Sequence, residues 1–213
     1  MLAVAAPLLL LWLLAPEIAL RVSRPLRPPA EEIDAADRMF LRAMARRNWL
    51  FFESFVRPED NWLPPDNYQE PPDEDTAHRT SPTNIGMMML SVLTAWKLGH
   101  IGLNEAEMRL RNALDAIDRL ERYRGHVLNW YDTRTLQPLE PRYVSTVDSG
   151  NLAVSLVVVQ QAFREAARGP AAGDESWPGL LDVIDLLDEA IGKAGLPPSP
   201  DCDTLVAAMR GVA

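Results

Sequence analysis

Apolar and polar positions follow three rhythms along this chain. From Leu2 to Ala15 almost every residue is apolar, with Pro7 inside the run. Over 31–56 the apolar residues Ile33, Ala36, Met39, Phe40, Ala43 and Met44 recur at helical spacing. Acids open that segment and arginines come after them, which suits the helix dipole. Two later stretches, "NIGMMMLSVLTAWKL" and "NLAVSLVVVQQAFREAA", are apolar nearly all round. Helices of that kind are buried on every side. Between them "EAEMRLRNALDAIDRLERY" carries a single stripe (Met108, Leu110, Ala113, Leu114, Ile117, Leu120) and a charged face, the pattern of an outer helix. A further amphipathic helix is predicted over about 179–193, and "GLPPSPD" breaks the chain before a short last helix.

Start and stop signals sharpen these elements. Ser81-Pro82 places an N-cap and a first-turn proline before one inner helix, and Gly99 stands where that helix should end. Asn104 with Glu107 makes a cap-like start for the striped helix. Ser145-Thr146-Val147-Asp148 fits a capping pattern ahead of the second inner helix, which closes at Gly169-Pro170. Two long loops interrupt the helices. Residues 57–84 hold six prolines, which forbid a helix, yet Trp62 and Tyr68 argue against simple disorder. Residues 129–152 hold an aromatic pair, two aspartates and several hydroxyls. Both loops precede inner helices, so both should lie at one end of the assembly. Alternating inner and outer antiparallel helices describe an all-α fold, part of an (α/α)6 toroid. The chain carries about half the helices that a closed toroid requires, so residues 31–213 read as its N-terminal portion.

Charge and composition narrow the function. The 213 residues carry a net charge of -9. Arg21, Arg24 and Arg27 against Glu17 make 1–30 basic, leaving the rest near -11. A surface that acidic excludes a nucleic-acid partner, which needs clustered Lys and Arg. One cysteine, Cys202, permits no internal disulfide, and His78, His100 and His126 lack the spacing of a metal site.

The apolar run is shorter than the roughly twenty residues of a full membrane span. No charge precedes it, whereas a signal peptide has a basic n-region. Arginines lie beyond its end, and positive charge marks the cytoplasmic side. Residues 1–22 are therefore expected to be the C-terminal part of a transmembrane helix, 23–30 a linker, and the rest cytoplasmic. A secreted protein with 1–22 as its signal peptide is the rival reading.

The loops concentrate Trp62, Tyr68, Trp130, Tyr131 and Tyr143 near Glu70, Asp73, Asp132, Glu140 and Asp148. Aromatic platforms stack on the apolar faces of sugar rings while carboxylates and amides bond hydroxyls. The same residues also serve to seal helix ends, with Asp148 only a cap. No pair of acids stands out as the two carboxyl groups of a glycosidase.

"NWLPPDNYQE", "RTSPTNIGMMMLSVLTAWKLGHIG" and "LERYRGHVLNWYDTRTLQPLEPRYVSTVDSGNLA" resemble the central region of the cyclic β-1,2-glucan synthases, over about 47–163. That resemblance implies a large enzyme of the bacterial inner membrane. Its membrane-embedded transferase uses UDP-glucose, a central toroid closes β-1,2-glucan rings by transglycosylation, and a phosphorylase-like domain trims the chains. This chain would then hold a membrane segment and the first half of the cyclising domain. The family's catalytic acids would lie further along, so the chain alone would be inactive and need no cofactor of its own. Its partners would be β-1,2-glucan, the membrane and the remaining domains of the parent. By the same resemblance Arg79, Ser81 and Asn84 sit at the mouth of one inner helix, and Asn129, Trp130, Tyr131, Asp132, Ser145, Thr146 and Asp148 at the mouth of the next, facing the central cleft. Trp130 and Tyr131 are expected to stack on glucose rings. Arg79 and Asp148 are expected to bond hydroxyls or to tie the loops together. A membrane-tethered helical module that binds glycan or protein without catalysis is the alternative.

Overall fold

The computed structural model describes residues 2–23, 33–72, 74–168, 176–195, 204 and 207. The chain divides into two compact units, 1–38 and 39–213. The first holds α1 (Leu2–Val22), which runs on through Pro7 and Pro16. It is longer than the fourteen-residue apolar run, because Arg21 pairs with Glu17 one turn back at 2.7 Å and lets the helix carry both charges. By length and composition alone, Ala5–Val22 can cross a membrane. The expected linker lies almost wholly outside the described residues, as do the Gly169-Pro170 stop and nearly all of the short last helix.

The second unit is built on helical hairpins, with α2 (Ala35–Phe55) entering it across the boundary. The apolar stripe read for α2 is not its packing face: Met39, Phe40 and Met44 stay exposed, while Arg46 and Trp49 are buried and Phe52 packs on the core. Arg42 and Arg46 turn inward because they meet acids there, Asp182 at 2.9 Å and Glu53 at 2.8 Å.

α3 (Pro82–Lys97) is the central helix. Ser81 caps it, its hydroxyl accepting from the Asn84 amide at 3.2 Å, and Ile85, Met88, Met89 and Val92 are buried. Gly99, at φ 79, then turns the chain into α4 (Leu103–Arg119). α4 is capped by extended Gly102 rather than by Asn104, so it starts slightly earlier than the cap-like pair predicts. Its buried stripe is Ala106, Leu110, Ala113 and Ile117. Met108, two positions from Ala106, turns away from that face, and Leu114 lies at its edge, 37% exposed. α5 (Thr146–Ala166) runs parallel to α3: Asn151 donates to Thr83 at 3.0 Å, and one turn further on Gly86 abuts Ser155. Parallel inner helices joined through an antiparallel outer one are the arrangement the hydrophobic pattern predicts. α5 is not buried on every side, however. Val154, Val157 and Val158 are exposed, because α3 covers one flank only.

The loops contain short ladders that a two-residue strand is too brief to announce in sequence. β1 (Tyr68–Gln69) pairs with β2 (Asp75–Thr76), and β4 (Arg122–Tyr123) with β5 (His126–Val127). β3 (Arg79–Thr80) pairs antiparallel with β6 (Tyr131–Asp132), which ties the two long loops together at one end of the helices.

α6 (Ser176–Lys193) begins slightly before the predicted start. Its Gly179 sits so close to Gly99 that a Cβ would lie 2.2 Å from the Gly99 carbonyl oxygen. Beside this contact His100, its side chain fully enclosed, bonds Asp182 at 2.9 Å. Burial holds the His100 imidazole below its ordinary value, and the bond to Asp182 offsets this only in part. The folded state therefore resists protonation that the unfolded chain accepts below a pH of about 6.5. Stability should be complete above that pH and decline as pH falls through it. Urea unfolding at about pH 5.5 and pH 7.5 checks this: the midpoint is expected to be lower at the acid pH, and the difference to shrink in His100→Gln. An unchanged difference in the variant would assign the pH dependence elsewhere.

Candidate functional site

The mouths of α3 and α5 lie side by side and carry one connected polar network. Asp66, on the proline-rich loop, accepts from Arg79 Nε at 3.1 Å and Nη2 at 2.9 Å, and from Asn84 Nδ2 at 3.2 Å. The Arg79 guanidinium lies over the Trp130 ring, 5.1 Å from its centroid. Such a cation–π contact fixes the indole and leaves it partly exposed. The Trp130 ring N–H donates to the buried Asn129 amide oxygen at 2.9 Å, in the amide orientation that satisfies all its neighbours. That oxygen also accepts from the Tyr143 hydroxyl at 2.7 Å, and the amide nitrogen donates to Asp148 at 3.0 Å.

Asp148 sits in the first turn of α5. Burial pushes its carboxyl up, but hydrogen bonds from Ser145 and Thr83 outweigh this and hold it below the usual carboxylate range. Asp132 behaves alike: burial raises it, while the Thr135 amide and hydroxyl and the Arg134 amide pull it lower. Both are ionised acceptors at neutral pH.

The structure sorts the predicted residues into two groups. Arg79, Asn84, Trp130 and Asp148 meet in this network. Thr146 is exposed on the first turn of α5. Asp132 instead closes its own turn, accepting at 3.0 Å from Arg134 N and at 2.7 Å from Thr135 N. Tyr131 departs most from expectation. It is 0% exposed, its hydroxyl donates to the Glu121 carbonyl at 2.7 Å, and it accepts from Leu128 N at 2.7 Å. A ring enclosed in this way cannot stack on a sugar. Adjacent residues of an extended segment point to opposite sides, so only one of Trp130 and Tyr131 can face the cleft.

The loop tie also differs from the expected pairing of Arg79 with Asp148. Arg79 pairs with Asp66, and Asp148 with Ser145, Thr83 and Asn129. Asn129, placed by the sequence at the mouth of the second inner helix, joins this network, and Asp66 is a member beyond those the sequence singles out. An arginine without an evident partner, close to a Pro-Pro-Asp turn, was the one available signal for Asp66. Among the described residues no group of three His, Cys, Asp or Glu is arranged to hold a metal.

Parallel helix mouths that share a partly exposed aromatic ring, an arginine and ionised acceptors define a helical-hairpin domain with a polar, aromatic-lined end. The chain belongs to the family described as "protein of unknown function (DUF3131)", whose profile matches residues 43–177. It is also 44% identical over 192 residues to the cyclic β-(1,2)-glucan synthase NdvB of Rhizobium meliloti. That alignment takes in 89% of this chain and 7% of the synthase, so the chain spans a small part of that relative's length. Among solved structures it resembles a Bacteroides fragilis protein described as a glucoamylase, with a TM-score of 0.53 and 17% identity, over 75% of this chain and 37% of that one. This last likeness shows the fold: the hairpins are those of part of an α/α toroid. The chain is thus related to a segment of a glucan synthase and folds as part of a glucoamylase-like domain.

Proposed function

We propose that residues 39–213 form part of a toroidal domain that holds β-1,2-glucan, in the manner of the central region of a cyclic β-1,2-glucan synthase. The observation that carries this reading is the Asp66–Arg79–Trp130 arrangement. An indole, clamped on one side by a guanidinium, offers an apolar platform beside acceptors for sugar hydroxyls. The 44% identity to a named glucan synthase supports the choice of glucan.

The role of this stretch is binding. A general acid for glycosidic cleavage needs a raised pKa. Asp148 is lowered instead, and both oxygens of Asp66 are already engaged by Arg79 and Asn84. The acids of transglycosylation belong, on this reading, to other parts of the toroid, and the stretch is inactive alone and requires no cofactor. The exposed valines of α5 are where a neighbouring hairpin of that toroid packs. α1 anchors the chain in the bacterial inner membrane, and Arg21 at its C-terminal end favours a cytoplasmic location for residues 39–213.

Calorimetric titration of the full chain in lipid nanodiscs with linear β-1,2-glucan tests the reading. Saturable binding that weakens about tenfold or more in Trp130→Ala is expected, as loss of a stacking platform and its cation–π partner implies. Equal binding by that variant would remove Trp130 from the site.

A further inference from the structure

A second concave surface lies next to the Trp130 cluster. It is a groove of about 410 Å³ between the β4–β5 hairpin and residues 142–144. Ligand sites run from about 300 to 1,000 Å³, so the groove is large enough to act as one. Leu128 and Val144 contribute apolar lining, and Tyr123 and Tyr143, 57% and 44% exposed, supply two aromatic rings. The hairpin closes through Arg124 and Gly125 with φ 50 and 86, the left-handed pair of a tight two-residue turn, which fixes where Tyr123 stands. The Arg124 guanidinium lies 5.4 Å from the Tyr123 centroid and holds the ring further.

The rim has little net field. Arg122, Arg124 and Arg142 stand against Asp118, Glu121 and Glu140: Arg142 donates to both oxygens of Glu121, at 2.8 and 3.0 Å, with Glu140 3.5 Å from its Nε, and Arg122 pairs with Asp118 at 3.3 Å. Paired charges still offer free donor and acceptor sites to hydroxyls, but they do not attract a phosphate or another anion. Aromatic rings under a balanced polar rim suit a neutral polyhydroxylated ligand. The groove is also linked to the Trp130 cluster through Asn129. Tyr143 lines it, and the Tyr143 hydroxyl bonds the same Asn129 oxygen that receives the Trp130 ring N–H.

We propose that this groove is an extension subsite, which takes glucose units of the same β-1,2-linked chain beyond the unit stacked on Trp130. The inference rests on the reading of the Trp130 cluster as a glucan site. It makes the bound glucan run from the paired helix mouths, past Tyr143, to the β4–β5 hairpin.

The test is calorimetric titration of the full chain in nanodiscs with linear β-1,2-glucans of increasing length. Affinity is expected to rise with length until an oligosaccharide spans both surfaces. Tyr123→Ala should cancel that rise, a loss of about fivefold to tenfold for long chains, while leaving short ones unaffected. Tyr123→Phe, which keeps the ring, should retain it. Tyr123 is exposed, so an unchanged urea midpoint will establish that the variants fold. If Tyr123→Ala keeps the full length dependence while Trp130→Ala weakens every length, the extension subsite is wrong and the Trp130 site stands. If the wild-type chain binds glucan of no length, both readings fall together. A peptide that competes for Tyr123 without displacing glucan would also overturn the subsite.

Discussion

Tyr131→Ala is expected to lower the unfolding free energy by about 3–5 kcal/mol, the usual cost of emptying a large buried aromatic site. Tyr131 is fully enclosed and joins three segments. Its backbone pairs with Thr80 in the ladder that ties the two long loops, and its hydroxyl bonds the Glu121 carbonyl and the Leu128 amide. Leu128 is itself buried, so loss of the hydroxyl strands its N–H without a partner. Tyr131→Phe isolates that part and should cost about 1–3 kcal/mol. Urea unfolding of the full chain, monitored by circular dichroism, reads both values. If the alanine variant loses less than about 1 kcal/mol, Tyr131 is not the internal post that its burial implies.

The second large effect is expected at Gly86, which lets α3 pack closely on α5. A Cβ built there would lie 2.7 Å from Ser155 Oγ and 3.3 Å from Ser155 Cβ. Ser155 is buried, and its hydroxyl donates back to the Asn151 carbonyl at 2.8 Å, so the space cannot open freely. Gly86→Leu forces the helices apart and should cost about 3 kcal/mol or more. Because Thr83, Asn84 and Asp148 sit at the mouths of these helices, the variant should also weaken glucan binding without altering any residue of the site. Gly86→Ala meets chiefly the serine hydroxyl, and Ser155→Ala removes that hydroxyl. The double variant should therefore be more stable than the sum of the single changes predicts, a coupling that a double-mutant cycle measures. Simple additivity would contradict the close approach.

Much of this architecture was legible in the chain. Ser81-Pro82 and Ser145 through Asp148 mark two helix starts, and at each the serine hydroxyl accepts from the backbone N–H three residues on. The apolar character of α3 and the stripe of α4 distinguish inner from outer roles. What failed to show is physical in each case. On α2, Arg42 and Arg46 take the inward face because acids meet them, Asp182 from α6 and Glu53 two turns on, and periodicity of apolar residues cannot register such pairs. The β3–β6 ladder is two residues long, too short for any alternation to be seen.

The geometry of the candidate cluster was half legible. Arg79, Asn84, Trp130 and Asp148 are gathered as expected, but the partner of Arg79 is Asp66, thirteen residues earlier in a loop without periodicity. For Tyr131 the signal was there in its neighbour: in extended backbone, adjacent side chains point apart, so Trp130 at the cleft sends Tyr131 into the core.

We propose that the paired mouths of α3 and α5 hold β-1,2-glucan. Determining the structure of the full chain with a bound linear β-1,2-glucan oligosaccharide tests it most directly. A glucose ring is expected in van der Waals contact with the open side of Trp130, its hydroxyls within hydrogen-bond reach of Asp66, Arg79 or Asp148. Glucan bound away from Trp130, or a free Trp130 at saturating glucan, would contradict it.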